Sequence, residues 1–288
     1  MTSRERVEAM LSHTEPDRVP NDVDGMAATG IAAMAYNRLA AHLNIADSKT
    51  YIWDPVQIQA TPGPWFLDRF RVDTRQIRLP IPGLDLHQPE WKHWTLPDGS
   101  SGYLPAGIDV TDTGTGYFEM KLNDGDVTYR LPHGGFYFDQ VSYPLAYATT
   151  PREIEAYQFP RLSDEELAWM STNAQRLYHE TDAILMVRLR AVIMEMGGFY
   201  RGWENFLLDI AGDSTMAIAL AERLTTHYLQ EIPRFFEAIG DYVHIVAIGD
   251  DVGTQLAPII SPETYRRVVK PCYRRIFKAI KDNADVKI

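Results

Sequence analysis

A chain of 288 residues forms one large domain or two small ones, and its 45% apolar content suffices for a sizeable core. With 28 Lys and Arg against 39 Asp and Glu, the net charge of −11 excludes nucleic acid and anionic membrane as default partners. One cysteine, Cys272, excludes an internal disulfide framework and fits a reducing cytoplasm; no opening signal peptide and no membrane-spanning apolar run of ~20 residues is present in the sequence.

Residues 3–13 read as a short helix, with Ser3 as its N-cap and Val7, Met10 and Leu11 on one face. Pro16-Asp17-Arg18 ends it. Val19 to Asp24 reads as a first strand, and the Ala-rich run 27–43 as a helix with Ile31, Met34, Leu39 and Leu43 turned inward. From Asp73 to Asp139 the texture changes to short alternating runs rich in Gly, Pro and aromatics. Tyr117 to Leu122 and Val127 to Leu131 flank Asn123-Asp124-Gly125-Asp126, a hairpin signal with Asp-Gly in the turn. This region reads as an antiparallel insertion, with a long surface loop as the other reading.

Helical texture returns at 151–157, 163–181, 203–211 and 214–239, with a buried strand at 183–187 and another at 243–248. Ser261, Pro262 and Glu263 carry the start preferences of a helix running to about Lys281. Asp285 to Ile288 begins a further strand. Strands alternating with helices imply a parallel sheet, with candidate strands at 19–24, 75–79, 183–187, 243–248 and 285–288. Either that sheet is open, or the natural protein continues past Ile288 and closes into a barrel.

In parallel α/β folds, chemistry is placed at the carboxyl ends of strands. Asp250 and Asp251 sit at such an end, bracketed by Gly249 and Gly253 and followed by Gln255. Adjacent carboxylates there can share a proton, bind a cation or orient a substrate, or they simply form a turn. Asp22 and Asp24 share one side of the first strand end, where a capped turn is the other reading. Arg188, Arg190 and Glu195 follow the strand 183–187, as an anion-binding mouth or a salt-bridged loop. His244 lies within an apolar strand, as a substrate contact or as a hydrogen-bonded core residue. No metal-ligand spacing, P-loop, dinucleotide fingerprint or nucleophile elbow occurs.

Three segments together resemble the uroporphyrinogen decarboxylase superfamily, over nearly the whole chain and least in 73–139. They are Ser3-Arg4-Glu5-Arg6-Val7 with Glu15-Pro16-Asp17-Arg18-Val19-Pro20, then Arg201-Gly202-Trp203-Glu204-Asn205-Phe206-Leu207-Leu208-Asp209. The third is Gly249-Asp250-Asp251-Val252-Gly253-Thr254-Gln255 with Ile260-Ser261-Pro262-Glu263-Thr264-Tyr265 and Lys270-Pro271. The resemblance implies a (β/α)8 TIM-type barrel. It would be one domain over 1–288, incomplete at the C-terminus, with 73–139 as a β-rich insertion.

True decarboxylases of this superfamily carry an Arg-rich segment after strand one. Here Asn21 to Gly30 holds no Arg or Lys. A polyanionic tetrapyrrole would meet carboxylates there, so the chain looks closer to the methyltransferase-like branch. That branch implies methyl transfer between a small donor and a corrinoid or thiol, with cobalamin or a corrinoid protein as partner. Asp250 and Asp251 would be catalytic, and Gln255, Asp22, Asp24, His244 and Glu195 would contact substrate. An acidic residue is more usual in the family at the place of His244. The branch also implies zinc, whose His-x-Cys ligands would lie beyond Ile288, so no metal residue is assigned. The alternatives are a cofactor-free uroporphyrinogen decarboxylase, a lyase of porphyrin biosynthesis, and a non-catalytic corrinoid-binding barrel.

Overall fold

A computed structural model describes residues 1–122 and 127–288. The fold is mixed α/β, and no sheet among the described residues closes into a barrel. By contacts the chain divides into two units. One holds Met1–Val141, Trp169–Arg188 and Tyr242–Ile245; the other holds Ser142–Ala168, Leu189–Asp241 and Val246–Ile288.

The first unit contains a short parallel ladder. The strand Thr74–Gln76 pairs with Ile184–Arg188, placing Ile184 opposite Thr74 and Met186 opposite Gln76. Ile184 to Val187 are all buried, the continuous apolar run of a strand covered on both faces. On one side, the Asp73 N–H donates to the Asn21 carbonyl at 2.8 Å, so the 19–24 segment runs alongside. On the other, the His244 N–H donates to the Leu185 carbonyl at 3.0 Å. The 19–24 segment is not a regular strand. Asp22 folds its side chain back onto the Gly25 N–H at 3.0 Å, and Asp24 takes a left-handed φ of 69°.

The expected helix over 27–43 is interrupted. Ala27–Thr29 is a 3-10 turn, Ile31–Ala32 pairs antiparallel with Gln59–Ala60, and the helix proper is Ala33–His42. Gly30 marks the break, with extended backbone after the turn. Ile52–Asp54 pairs on the other edge of Gln59–Ala60.

Between residues 91 and 140 the strands are antiparallel. Trp91–Thr95 pairs with Ser101–Pro105, and Val110–Asp112, Tyr117–Leu122, Val127–Pro132 and Asp139–Gln140 form a four-stranded sheet. Leu122 faces Val127 across the hairpin; the expected turn, Asn123-Asp124-Gly125-Asp126, lies outside the described residues. The inner faces bury Ile52, Ile58, Leu104, Ile108, Met120 and Leu131 in one apolar cluster, each side chain contributing about 1.5–3 kcal/mol.

The N-terminal segment is fastened to this unit by one carboxylate. Thr2, not Ser3, caps the helix Ser3–Leu11, in a capping box with Glu5. Ser3 is used elsewhere: its hydroxyl donates to Asp73 at 2.7 Å. Asp73 has no exposed surface and also accepts from Arg6, Arg18 and the Asn21 N–H. Burial raises its pKa, but the donors from Arg18, Asn21, Ser3 and Arg6 outweigh that and hold it below the ordinary carboxylate value.

The second unit is mostly helical. Thr215–Ile239 buries Leu220, Leu224, Tyr228, Ile232, Phe235 and Phe236 at helical spacing and packs on Lys270–Asn283, which buries Cys272, Tyr273, Ile276 and Ile280. The latter helix is preceded by the turn Pro262–Thr264, capped by Ser261 on the Thr264 N–H, and by a π-helical turn at Tyr265–Val269. Within this unit, Leu189 N–H donates to the Ala247 carbonyl at 3.0 Å and Val246 N–H to the Lys287 carbonyl at 2.8 Å.

Candidate functional site

The strand Thr74–Gln76 runs on through Ile77, whose N–H donates to the Met186 carbonyl at 2.7 Å, and delivers Arg78 just past its carboxyl end. There Arg78 meets Asp24. The two form an ion pair, and a second guanidinium N–H donates to Thr61 Oγ1 at 2.9 Å. The Arg78 guanidinium also lies 4.8 Å above the ring of Trp53, a cation–π contact. Beside this pair, Asp22 Oδ1 accepts from the Thr74 hydroxyl at 2.6 Å and the Gly25 N–H. A Cβ at position 25 would lie 2.2 Å from that oxygen and 2.8 Å from Met186 Sδ, so a larger residue there would have to displace the Asp22 carboxylate and the Met186 side chain.

Asp24 is 8% exposed. Burial pushes its pKa up to about 6; Arg78 opposes the shift by charge and hydrogen bond, and Asp22 adds to it. Burial likewise lowers the pKa of Arg78. Asp24 can therefore hold or release a proton near neutral pH, while Arg78 remains the cation.

Several buried polar atoms of the pair and of the strands connected to it have no protein partner: Asp24 Oδ1, Arg78 Nε, Trp53 Nε1, Gln59 Oε1 and Gln76 Oε1. Gln59 Nε2 donates to the Ala27 carbonyl and to Gln57 Oε1, both at 2.8 Å, which fixes the amide with its oxygen unpaired. Each unsatisfied buried group costs about 1–3 kcal/mol.

Asp250, in the second unit, is placed differently. Its carboxylate accepts the N–H groups of Ile193, Met194 and Glu195 at 3.2, 2.8 and 2.7 Å, and the Tyr273 hydroxyl at 2.6 Å. Those amides open the helix Met194–Arg201, so Asp250 caps its N-terminus from a distant segment, where helix partial charge favours an anion. Burial, then the charge and hydrogen bond of Asp250, raise the pKa of Tyr273 far above the ordinary phenol value. The arrangement can hold a loop and a helix in register.

Asp251 and Gln255 are both exposed, as are their neighbours Val252 and Leu256. Glu195 contributes its N–H to the Asp250 carboxylate. His244 belongs to the first unit, at the amino-terminal half of the ladder. Its Nδ1 accepts the Leu185 N–H at 3.1 Å, and its ring stacks on Tyr178 at 5.7 Å. Arg4 lies over the other ring system, 4.4 Å from the Tyr178 centroid. Burial first and Arg4 second lower the His244 pKa to about 4, so the imidazole is neutral. Of the sequence-derived residues, the structure brings Asp22 and Asp24 together. It sets His244 near the other end of the strands, half-buried and hydrogen-bonded to the Leu185 N–H.

Sequence reasoning missed Arg78, Gln59, Gln76 and Trp53. The one available signal was Gln76 and Arg78 at alternate positions entering a strand end. Among the described residues, no group of three or more His, Cys, Asp or Glu could hold a metal ion. Cys272 is buried on its helix against the Val268 carbonyl, at 3.4 Å. The residues present thus do not supply the zinc ligand set that the resemblance implies, and no step below runs through it.

No protein-family model matches this sequence, and no curated protein matches it. A solved structure does. It is a methyltransferase from Methanosarcina mazei, matched with a TM-score of 0.51 and 11% identity over 99% of this chain and 68% of that chain. At that identity the likeness is one of fold.

Proposed function

We propose that this chain is a methyltransferase-like enzyme of the uroporphyrinogen decarboxylase superfamily, moving a methyl group between a small donor and a corrinoid or thiol acceptor. The observation that carries the reading is the fold likeness to the Methanosarcina mazei methyltransferase over 99% of the chain. The parallel ladder with chemistry-bearing residues at its carboxyl end is compatible with a (β/α)8 plan.

The substrate's polar end binds beside Asp24 and Arg78. Arg78 orients it, and Asp24 holds or accepts a proton as charge changes at the methyl-bearing atom. Asp250 keeps the helix Met194–Arg201 in place, and Asp251 and Gln255 are exposed in the same unit.

The test is methyl transfer to cob(I)alamin by the purified protein across small N-, O- and S-methyl donors, with and without added zinc. Transfer that fails in Asp24→Asn and Arg78→Met supports the reading. No transfer from any donor, or turnover of uroporphyrinogen instead, refutes it.

A further inference from the structure

The unpartnered atoms around Asp24 have a definite chemistry. Arg78 Nε and Trp53 Nε1 are two donors; Asp24 Oδ1, Gln59 Oε1 and Gln76 Oε1 are three acceptors. Asp24 and Gln59 are 8% and 7% exposed, so water competes poorly for them. The groups lie on connected elements. Gln76 and Arg78 alternate along one strand, Arg78 bonds Asp24 and covers Trp53, and Trp53 lies on the strand paired with Gln59. Gln59 in turn bonds Ala27, in the loop that follows Asp24.

Two donors match the two oxygens of a carboxylate, and three acceptors can take the three N–H hydrogens of a primary ammonium group or the two of an N-methylated one. We infer that this site takes a small zwitterion, an amino acid or N-methyl amino acid, with its carboxylate on Arg78 and Trp53 and its ammonium among Asp24, Gln59 and Gln76. An isolated anion would leave three acceptors unpaired, and an isolated cation would leave two donors unpaired. Each loss costs binding in the way an unpaired buried group does. The inference rests on the substrate placement proposed above and names the class of that substrate.

The experiment is calorimetric titration of the intact protein with sarcosine, glycine, acetate and methylammonium. Sarcosine or glycine binds at least tenfold more tightly than acetate or methylammonium. Trp53→Phe keeps a ring beneath Arg78 but removes its N–H; it weakens sarcosine tenfold or more and leaves methylammonium unchanged. Gln76→Leu weakens sarcosine and methylammonium and leaves acetate unchanged. Unaltered melting temperatures show that both variants fold.

Equal affinity for acetate and sarcosine, or full sarcosine affinity in Trp53→Phe, overturns the assignment. So does a crystal grown with sarcosine in which only ordered waters bridge the five atoms. Zwitterion binding without methyl transfer would sink the enzyme reading alone. Methyl transfer indifferent to both variants would sink the zwitterion site alone.

Discussion

Arg18 forks onto both oxygens of the Asp73 carboxylate, at 2.7 and 2.8 Å, across 55 residues of sequence. Arg6 adds a third charged bond at 2.7 Å and is itself 6% exposed. Arg6 also bonds Asp17, so the two arginines and Ser3 tie the N-terminal motif to the start of the strand Thr74–Gln76. This motif is therefore structural. Asp73→Asn removes the charge that compensates two partly buried cations and costs about 3–5 kcal/mol. Urea denaturation should show the midpoint falling with little change in slope. Because the folded pKa of Asp73 is depressed, this stabilisation is present above the unfolded carboxylate value and is lost as pH falls through the folded one. The variant should lack that part of the acid sensitivity.

Local rules read well where one element determined the outcome. Ser261, Pro262 and Glu263 open a helix as their types require, and the strands either side of residues 123–126 pair as the alternation implies. The helix Met194–Arg201 was not legible, because Gly197-Gly198 depresses helix propensity. The reason for those glycines lies elsewhere in the chain. A Cβ at 197 would stand 2.3 Å from the Phe206 ring, and one at 198 would stand 2.5 Å from Trp203. Asp22 and Asp24 were visible as acids at a strand end, but Arg78, their functional neighbour, is 54 residues from Asp24. Nothing local to either residue announces that bond. The same holds for the four long-range donors to the Asp250 carboxylate.

Those donors make a prediction about Asp250. Asn at this position keeps one acceptor and presents an amide N–H₂ toward backbone N–H groups. Asp250→Asn should cost about 1–3 kcal/mol, and Tyr273→Phe about 1 kcal/mol. Amide hydrogen exchange should quicken at residues 193–195 in Asp250→Asn, while the core of Thr215–Ile239 stays protected. Unchanged exchange at 193–195 would show that the cap contributes nothing. Asp251→Ala and Gln255→Ala, both at exposed positions, should stay within about 0.5 kcal/mol of the parent.

His244 carries an acid-linked term of opposite origin to a salt bridge. Its folded pKa, about 4, lies below the ordinary imidazole value because burial and Arg4 disfavour the cation. Below the unfolded pKa of about 6.5 the unfolded chain binds a proton that the folded chain refuses. Stability is therefore lost as pH falls from about 6.5 toward 4 and is full above that window. His244→Gln should flatten this part of the stability–pH curve. NMR titration of the imidazole should show no protonation down to about pH 5; a midpoint above 6 would contradict the stacked, neutral arrangement on Tyr178.

Asp24 has the reverse sign. Its folded pKa of about 6 is raised above the unfolded carboxylate value, so between about 4 and 6 the folded chain holds a proton that the unfolded chain has released. The burial term thus costs stability as pH rises through 6; Asp24→Asn removes that pH dependence but leaves the buried Arg78 without its counter-charge, and should be less stable than the parent at pH 8. Function runs the other way, because an unprotonated Asp24 is needed to accept a proton or hold an ammonium group. Substrate binding and turnover should rise with pH along a single titration near 6. Arg78→Met removes the charge that restrains the shift and should move the Asp24 midpoint upward, read by NMR titration of the carboxyl carbon rather than by turnover. A pH profile of ligand binding identical in parent and Asp24→Asn would remove Asp24 from the proton chemistry of this site.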